Sequence, residues 1–237
     1  MAHQVFPPNV IVKILCNDFL EYRNLTMSTR GLDPEIEIPN YNSDRVISDM
    51  AQFYYVRIDA VRKIPRGRRD WVVIIILSAD GKYSQHSPDL RKLLEGIEAD
   101  RLSKDGRLDE IIVIAEETFF GKKNLTDVIR EIQRKQVKGP DFDGESLFCN
   151  AYSYDKFSLV VPKHKSVALH RIMSKKETED LFKREHITRN DLAIIFTTDS
   201  QIIWIGGREE QIVEITRDSQ TAGTSIYYRR IELGSIA

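Results

Sequence analysis

The sequence predicts an α+β protein in two parts: an N-terminal α/β domain with a small mixed sheet and a compact C-terminal α+β domain. Three observations predict it. Val72–Leu77 (VVIIIL) and Glu110–Ala115 (EIIVIA) are short, nearly continuous apolar runs rich in β-branched residues, the pattern of strands covered on both faces. Segments with helical spacing follow each of them, and strand–helix–strand–helix order implies an α/β sheet. Near Asp155 the style changes to short strands around a capped helix, which sets the expected domains at residues 1–155 and 156–237.

The elements justify this reading in order. After Pro7-Pro8, the run NVIVKILCNDFLEYR spaces Val10, Ile14 and Leu15 as one helical face, with Asn9 as the expected N-cap. GLDPEIEIPNYNSD reads as a loop, and a second helix is expected from Ser43-Asp44 with Val46, Ile47 and Met50 inward. VRKIPRGRRDW, Val61 to Trp71, reads as a basic loop leading into the first buried strand. Ala79–Gly81 turns the chain, and Ser87 and Pro88 open a helix whose stripe is Leu90, Leu93, Leu94 and Ile97. After the second buried strand, a helix is expected from about Lys122, with Leu125, Val128, Ile129 and Ile132 inward. Lys138–Ser146 is polar and turn-rich.

In the tail, SLVVP reads as a short strand. Ser174 with Glu177 forms a capping box over SKKETEDLFKREH, and Thr188–Asp191 starts a helical turn. QIIWI, QIVEITR and TSIYYRRIEL read as strands. The last two are separated by small polar residues, and Gly223 there permits a positive φ without steric cost.

Bulk properties exclude several classes. The 237 residues carry a net charge of -1, so nucleic-acid contact would have to come from local patches. The two cysteines, Cys16 and Cys149, stand far apart without a CxxC partner, which argues against a zinc site or a disulfide framework. No apolar run reaches the length of a membrane span, and MAHQVFPPNV lacks the charge and apolar pattern of a secretory signal. A soluble, intracellular protein is expected.

One constellation in the tail is specific. Val161-Pro162 precedes His164; Met173-Ser174 opens a helix; Asn190-Asp191-Leu192, Asp199, Trp204 and Gly206 follow. Then come Gln211-Ile212-Val213, Ile215, Arg217, Ser219, Thr221-Ala222-Gly223 and Tyr228-Arg229. From Met173 to Glu232 this resembles, without gaps, the C-terminal domain of the shared fifth subunit of eukaryotic RNA polymerases, which has a counterpart in the archaeal enzyme. Where the family pattern has Pro at 193 and 200, Arg at 203 and Gly at 210, this chain has Ala193, Ser200, Ile203 and Glu210. Such departures look like those of divergent copies carried by large DNA viruses. More loosely, RGRRDW through IIVIAEETFFGKKNL resembles the jaw domain of the same subunit.

The resemblance implies a non-catalytic subunit of a multisubunit DNA-dependent RNA polymerase, without cofactor or metal of its own. Its tail would dock on the largest subunit and its jaw would flank downstream DNA. It also implies a location with the transcription machinery: the nucleus, or the host cytoplasm, viral factory and virion for a viral copy. The interface residues expected are Arg217, Ser219, Thr221, Gly223, Tyr228 and Arg229, because Tyr and Arg combine broad contact area with a polar end. A plain surface hairpin with solvated arginines and one buried tyrosine fits the same residues.

Two basic clusters are the nucleic-acid candidates. Gly121, Lys122, Lys123 and Asn124 stand where a helix start would offer unpaired N–H groups to a DNA phosphate. Arg66, Arg68 and Arg69 form the other cluster. Phosphate contacts of this kind carry no sequence information. Solvated charge fits both clusters too, and Glu116 and Glu117 would repel a phosphate. The P-loop pattern fails at Glu116 and Lys123, which argues against nucleotide hydrolysis. A nuclease would have to recruit Asp70, Asp80, Glu116 and Lys122, which lack the tight spacing of two-metal cleavage. The histidines His86, His164, His170 and His186 are scattered. A stand-alone DNA-processing protein and a transcription-factor-binding adaptor remain as alternatives.

Overall fold

The computed structural model describes residues 8–27, 55–63, 70–77, 88–99, 102–103, 106–117, 127, 129–131, 147–219 and 223–234. Within them the chain forms two compact units, one reaching Leu159 and one spanning Val160–Ser235. The fold is α+β, with one mixed sheet in each unit.

The first unit is built on six strands: β1 (Leu25–Met27), β2 (Tyr55–Arg62), β3 (Asp70–Leu77), β4 (Leu102–Ser103), β5 (Gly106–Ala115) and β6 (Phe148–Ser153). Their order is β1-β2-β3-β5-β4, with β6 also on β5. β3–β5 and β5–β6 pair in parallel, while β1–β2, β2–β3 and β4–β5 are antiparallel. The expected strands Val72–Leu77 and Glu110–Ala115 are the centre of this sheet. Every residue from Val72 to Leu77 and from Ile111 to Ala115 is 0% exposed, so β-branched side chains fill both faces.

Helix α3 (Pro88–Ala99) starts on the proline expected at its first position. Leu93, Leu94 and Ile97 pack on the face formed by Trp71, Val73, Ile75, Ile111 and Val113. The helix ends at Ala99, and Leu102 belongs to β4. Ile129, expected to face inward, is buried in the same core.

At the N-terminus, α1 (Pro8–Ile14) runs through a π-helical turn (Leu15–Phe19) into α2 (Leu20–Tyr22). Asn9 therefore lies inside the helix, not at its cap. The wider turn also rotates the apolar stripe: Ile11, Val12, Leu15, Phe19 and Leu20 are buried, whereas Val10 is 39% exposed. Phe19 meets Phe157 edge to face, with centroids 5.3 Å apart.

A buried ionic network ties this helical segment to the sheet. Arg23 donates to both oxygens of Glu110 at 2.9 Å, Asn150 donates to Glu110 at 3.1 Å, and the Arg23 guanidinium lies 4.7 Å from the Phe19 ring centre. Burial alone would lower the Arg23 pKa, but Glu110 and then Tyr152 raise it, so the cation persists. Burial pushes the Tyr152 hydroxyl up to about 12 despite the neighbouring Arg23. Arg62 donates to Asp109 at 2.8 Å alongside.

The second unit has the sheet order β7-β9-β10-β8, from β7 (Leu169–Ile172), β8 (Ala193–Phe196), β9 (Ile212–Ser219) and β10 (Gly223–Glu232). β9 and β10 are the expected strands; β7 and β8 join them. Helix α4 (Lys175–Glu185) carries the expected capping box: Glu177 N–H donates to the Ser174 hydroxyl, and Ser174 N–H donates to the Glu177 carboxylate. The expected turn is present as a 3-10 turn, Arg189–Asp191.

Two tail expectations are corrected. SLVVP is no strand: Ser158 and Leu159 bend, and Val161–Lys163 is a 3-10 turn, because Pro162 removes a donor and no strand among the described residues pairs with the segment. QIIWI is helical: α5 (Ser200–Ile205) is capped by the Asp199 carboxylate, which accepts from Gln201 N–H at 2.8 Å, and closed by Gly206 at φ 71. Ser200 takes the first helical position, where the proline of the family pattern would also fit. Ile203 is 1% exposed, an apolar environment that suits isoleucine where the pattern has Arg.

Candidate subunit interface

In the tail sheet, residues paired across strands point to the same face. The β9–β10 register sets Gly223 opposite Ser219, Ser225 opposite Arg217, Tyr227 opposite Ile215 and Arg229 opposite Val213. These residues alternate with Ile226, Tyr228 and Arg230, which pair with Thr216, Glu214 and Ile212. The hairpin candidates are therefore divided. Arg217, Ser219, Gly223 and Arg229 register on one face together with Tyr227, and Tyr228 belongs to the other.

Each face has its own core. The first buries Val213, Ile215, Ile231 and Ile195 with Ile202 of α5. The second buries Met173, Leu181 and Ile212, and Tyr228 packs against them beside Phe182 and Leu192. The carboxylate of Glu185, and after it the Tyr228 hydroxyl, holds the Arg184 guanidinium above its ordinary value. Tyr228 thus takes part in its own unit's core and secures α4. Its neighbour Tyr227, 52% exposed, is the tyrosine that faces solvent.

Arg217 and Arg229 are exposed. Arg229 opposes Ala193 on β8, and its Nη1 reaches the Ile194 carbonyl at 3.4 Å. Gly223 has the expected positive φ, 70°, and opens β10. The side chain of Ser219 and the residue Thr221 lie outside the described residues.

Sequence reasoning missed an apolar component. Leu169 is 69% exposed, Ile226 53%, Phe196 52% and Ile194 41%. Leu169 and Ile226 both oppose Thr216, and Ile194 opposes Arg230, so they share the Tyr228 face. Ile194-Ile195 inside Ala193–Phe196 was the available signal, an apolar run directly after the helical turn ending at Asp191.

The nucleic-acid candidates Arg66, Arg68, Arg69, Gly121, Lys122, Lys123 and Asn124 lie outside the described residues, as do Asp80, the Ser43-Asp44 helix start, Ala79–Gly81, Ser87 and Lys138–Ser146. Of the nuclease candidates, the two described residues, Asp70 and Glu116, do not come together. Asp70 opens β3 opposite Arg107, and Glu116 follows the far end of the parallel strand β5. Eight or so residues of extended chain separate the two by roughly 25 Å, too far to share a metal pair. Among the described residues no cluster of His, Cys, Asp or Glu could hold a metal ion, and no helix is long and apolar enough to cross a membrane.

Comparison with known proteins agrees with this architecture. The family pattern described as RNA polymerase Rpb5, C-terminal domain, matches residues 159–231. The DNA-directed RNA polymerase RPB5 homolog of African swine fever virus (isolate Tick/Malawi/Lil 20-1/1983) is 28% identical over 219 residues, 92% of this chain and 95% of that protein. Its counterpart from isolate Tick/South Africa/Pretoriuskop Pr4/1996 is 30% identical over 165 residues, 70% of this chain and 75% of that protein. The DNA-directed RNA polymerase subunit Rpo5 of Nitrosopumilus maritimus is 37% identical over 76 residues, 32% of this chain and 92% of that shorter protein. These two viral relatives match along 92% and 70% of this chain, and the archaeal match covers a stretch of about the tail's length. The chain belongs to the Rpb5 family of DNA-directed RNA polymerase subunits.

Proposed function

We propose that this protein is a non-catalytic subunit of a multisubunit DNA-dependent RNA polymerase, held to the largest subunit by its tail unit. The observation that carries the reading is where apolar surface remains exposed. Among the described residues eight large apolar side chains are exposed, and six of them belong to the tail unit: Leu169, Ile194, Phe196, Ile226, Tyr227 and Leu233. They lie on both faces of the sheet: Leu169, Ile194, Phe196 and Ile226 on the Tyr228 face, and Tyr227 with Arg217 and Arg229 on the other, residue types that are enriched at protein interfaces.

On the same reading the first unit flanks downstream duplex DNA. Arg66, Arg68, Arg69 and the segment Gly121–Asn124 supply weak phosphate contacts that read no sequence. Polymerisation and its metal belong to other chains, and the protein works where the transcription machinery works, in the nucleus, the viral factory or the virion.

The test separates the two roles. Arg217, Tyr227 and Arg229 changed together to Ala should weaken retention on the polymerase while leaving the chain folded. Lys122 and Lys123 changed to Ala should leave retention intact and lower salt-sensitive DNA binding of the assembled enzyme. The reverse pattern would exchange the roles of the two units. A chain that captures transcription factors without stoichiometric polymerase would favour the adaptor reading.

A further inference from the structure

The two edges of the tail sheet differ. β7 at one edge is guarded by charge: Arg171 reaches Glu177 at 2.7 Å and Glu214 at 3.0 Å. β8 at the other edge reads Ala193-Ile-Ile-Phe196, with no charge, proline or bulge, the devices that normally protect an edge. Its orientation follows from two contacts. Thr197 N–H donates to the Glu232 carbonyl of β10 at 2.9 Å. By strand alternation Ile195 and Ala193 also turn their backbone towards β10, while Ile194 and Phe196 turn theirs outward. The second contact agrees: the Arg229 guanidinium passes small Ala193 and reaches the Ile194 carbonyl.

We infer that β8 receives an extended segment of a partner chain as a fifth strand, paired to the outward N–H and carbonyl of Ile194 and the outward N–H of Phe196; the Phe196 carbonyl is already taken by Asp199 N–H at 2.9 Å. The chemistry selects the occupant. Unpaired edge N–H and C=O groups bond an extended backbone, and a helix cannot satisfy them. The exposed Ile194 and Phe196 side chains call for apolar residues at alternate positions of that segment. Arg229 calls for a carboxylate: at 3.4 Å its hold on the Ile194 carbonyl is long, and an incoming N–H can replace it while the guanidinium moves to the partner's acid. The short strand limits the added pairing to about the length of β8. This inference rests on the polymerase-subunit reading, since it takes the partner to be a polymerase chain.

Amide hydrogen exchange on the full-length chain, free and in purified polymerase, tests it. The amides of Ile194 and Phe196 should exchange rapidly in the free chain and slow by about tenfold or more on assembly. Ile195, already paired to β10, serves as the internal reference. Ile194→Pro should fold, because the amide it removes has no role in the sheet, yet lose retention on the polymerase; Ile194→Val should keep it. Should Ile194→Pro fail to fold, the wild-type exchange rates decide alone. An assembled chain with both amides exchanging as in the free state would overturn strand addition and leave the subunit reading standing. A chain that never assembles would remove both.

Discussion

The two sheets use similar residues to opposite ends. In the first unit, no residue of β3 from Trp71 to Leu77 is more than 4% exposed, and its parallel neighbour β5 is closed to the same degree from Leu108 to Ala115. In the tail, only Ile231 of the ten residues of β10 is buried. The first sheet is covered on both faces by its own chain. The tail sheet buries a small core on each face and leaves apolar side chains at its rim. A unit of about the tail's size buries a smaller fraction of its surface than a larger one does, so a partner that covers the remainder adds to its stability. The first unit encloses its own sheet, and the tail leaves apolar surface for the partner proposed above.

The largest effect should come from the buried network of the first unit. Arg23→Ala leaves Glu110, 3% exposed, without its bidentate cation and with only the more distant Arg62 at 3.8 Å, and should cost about 3 kcal/mol, read by urea unfolding of the full chain. A loss below about 1 kcal/mol would mean that water reaches Glu110 and that this unit is less closed than β3 suggests.

Paired truncations sharpen the contrast. Ile75→Ala, at a site 0% exposed, should cost about 2–5 kcal/mol of stability in the free chain. Phe196→Ala, at a site 52% exposed, should change the free chain by no more than about 0.5 kcal/mol and weaken retention on the polymerase instead. Equal stability losses would show that the tail sheet is closed in solution.

Legibility follows the same division. β3 and β5 could be read from sequence because a doubly covered strand needs an unbroken β-branched run, and the capping box of α4 because its two hydrogen bonds join residues three apart. β1, β2, β6 and β7 lack such a run and are strands only because a neighbour pairs with them; β8 has only a four-residue apolar run, too short to decide between strand and helix. The run QIIWI fits a strand or a helix equally well; the deciding signals, Asp199 before it and Gly206 after it, lie just outside it. Arg23 and Glu110 are 87 residues apart, and no local pattern could pair them. Tyr228 and Arg229 form one motif in sequence, but strand alternation sends them to opposite faces.

The cap supplies a smaller, pH-dependent effect. The Ser174 N–H, then the Ser174 hydroxyl, then Arg171 hold the Glu177 carboxyl at about 2, below its ordinary 4.5. A depressed carboxyl contributes stability that is complete above pH 4.5 and fades as the pH falls towards 2. Glu177→Gln should therefore flatten the stability profile across that window, and Ser174→Ala should cost about 1 kcal/mol at neutral pH. An unchanged profile in Glu177→Gln would mean that the exposed pair is screened by solvent.

The smallest effect concerns a departure from the family pattern. Glu210 stands at φ 69, a conformation that glycine adopts freely, and its carboxylate is paired with Arg189. Glu210→Gly removes the backbone strain but loses the ion pair and gains unfolded-state freedom, so the net change should stay within about 1 kcal/mol, read by thermal unfolding. A larger loss would show that the Arg189 contact, not the backbone, governs this turn.

The central claim, that the tail is completed by a polymerase, is tested most directly by quantitative mass spectrometry of the enzyme purified through the tagged full-length chain. The account predicts one copy per polymerase, retained after washing in high salt because the exposed tail surface is largely apolar. Recovery of the chain alone, as a monomer free of polymerase subunits, would contradict it.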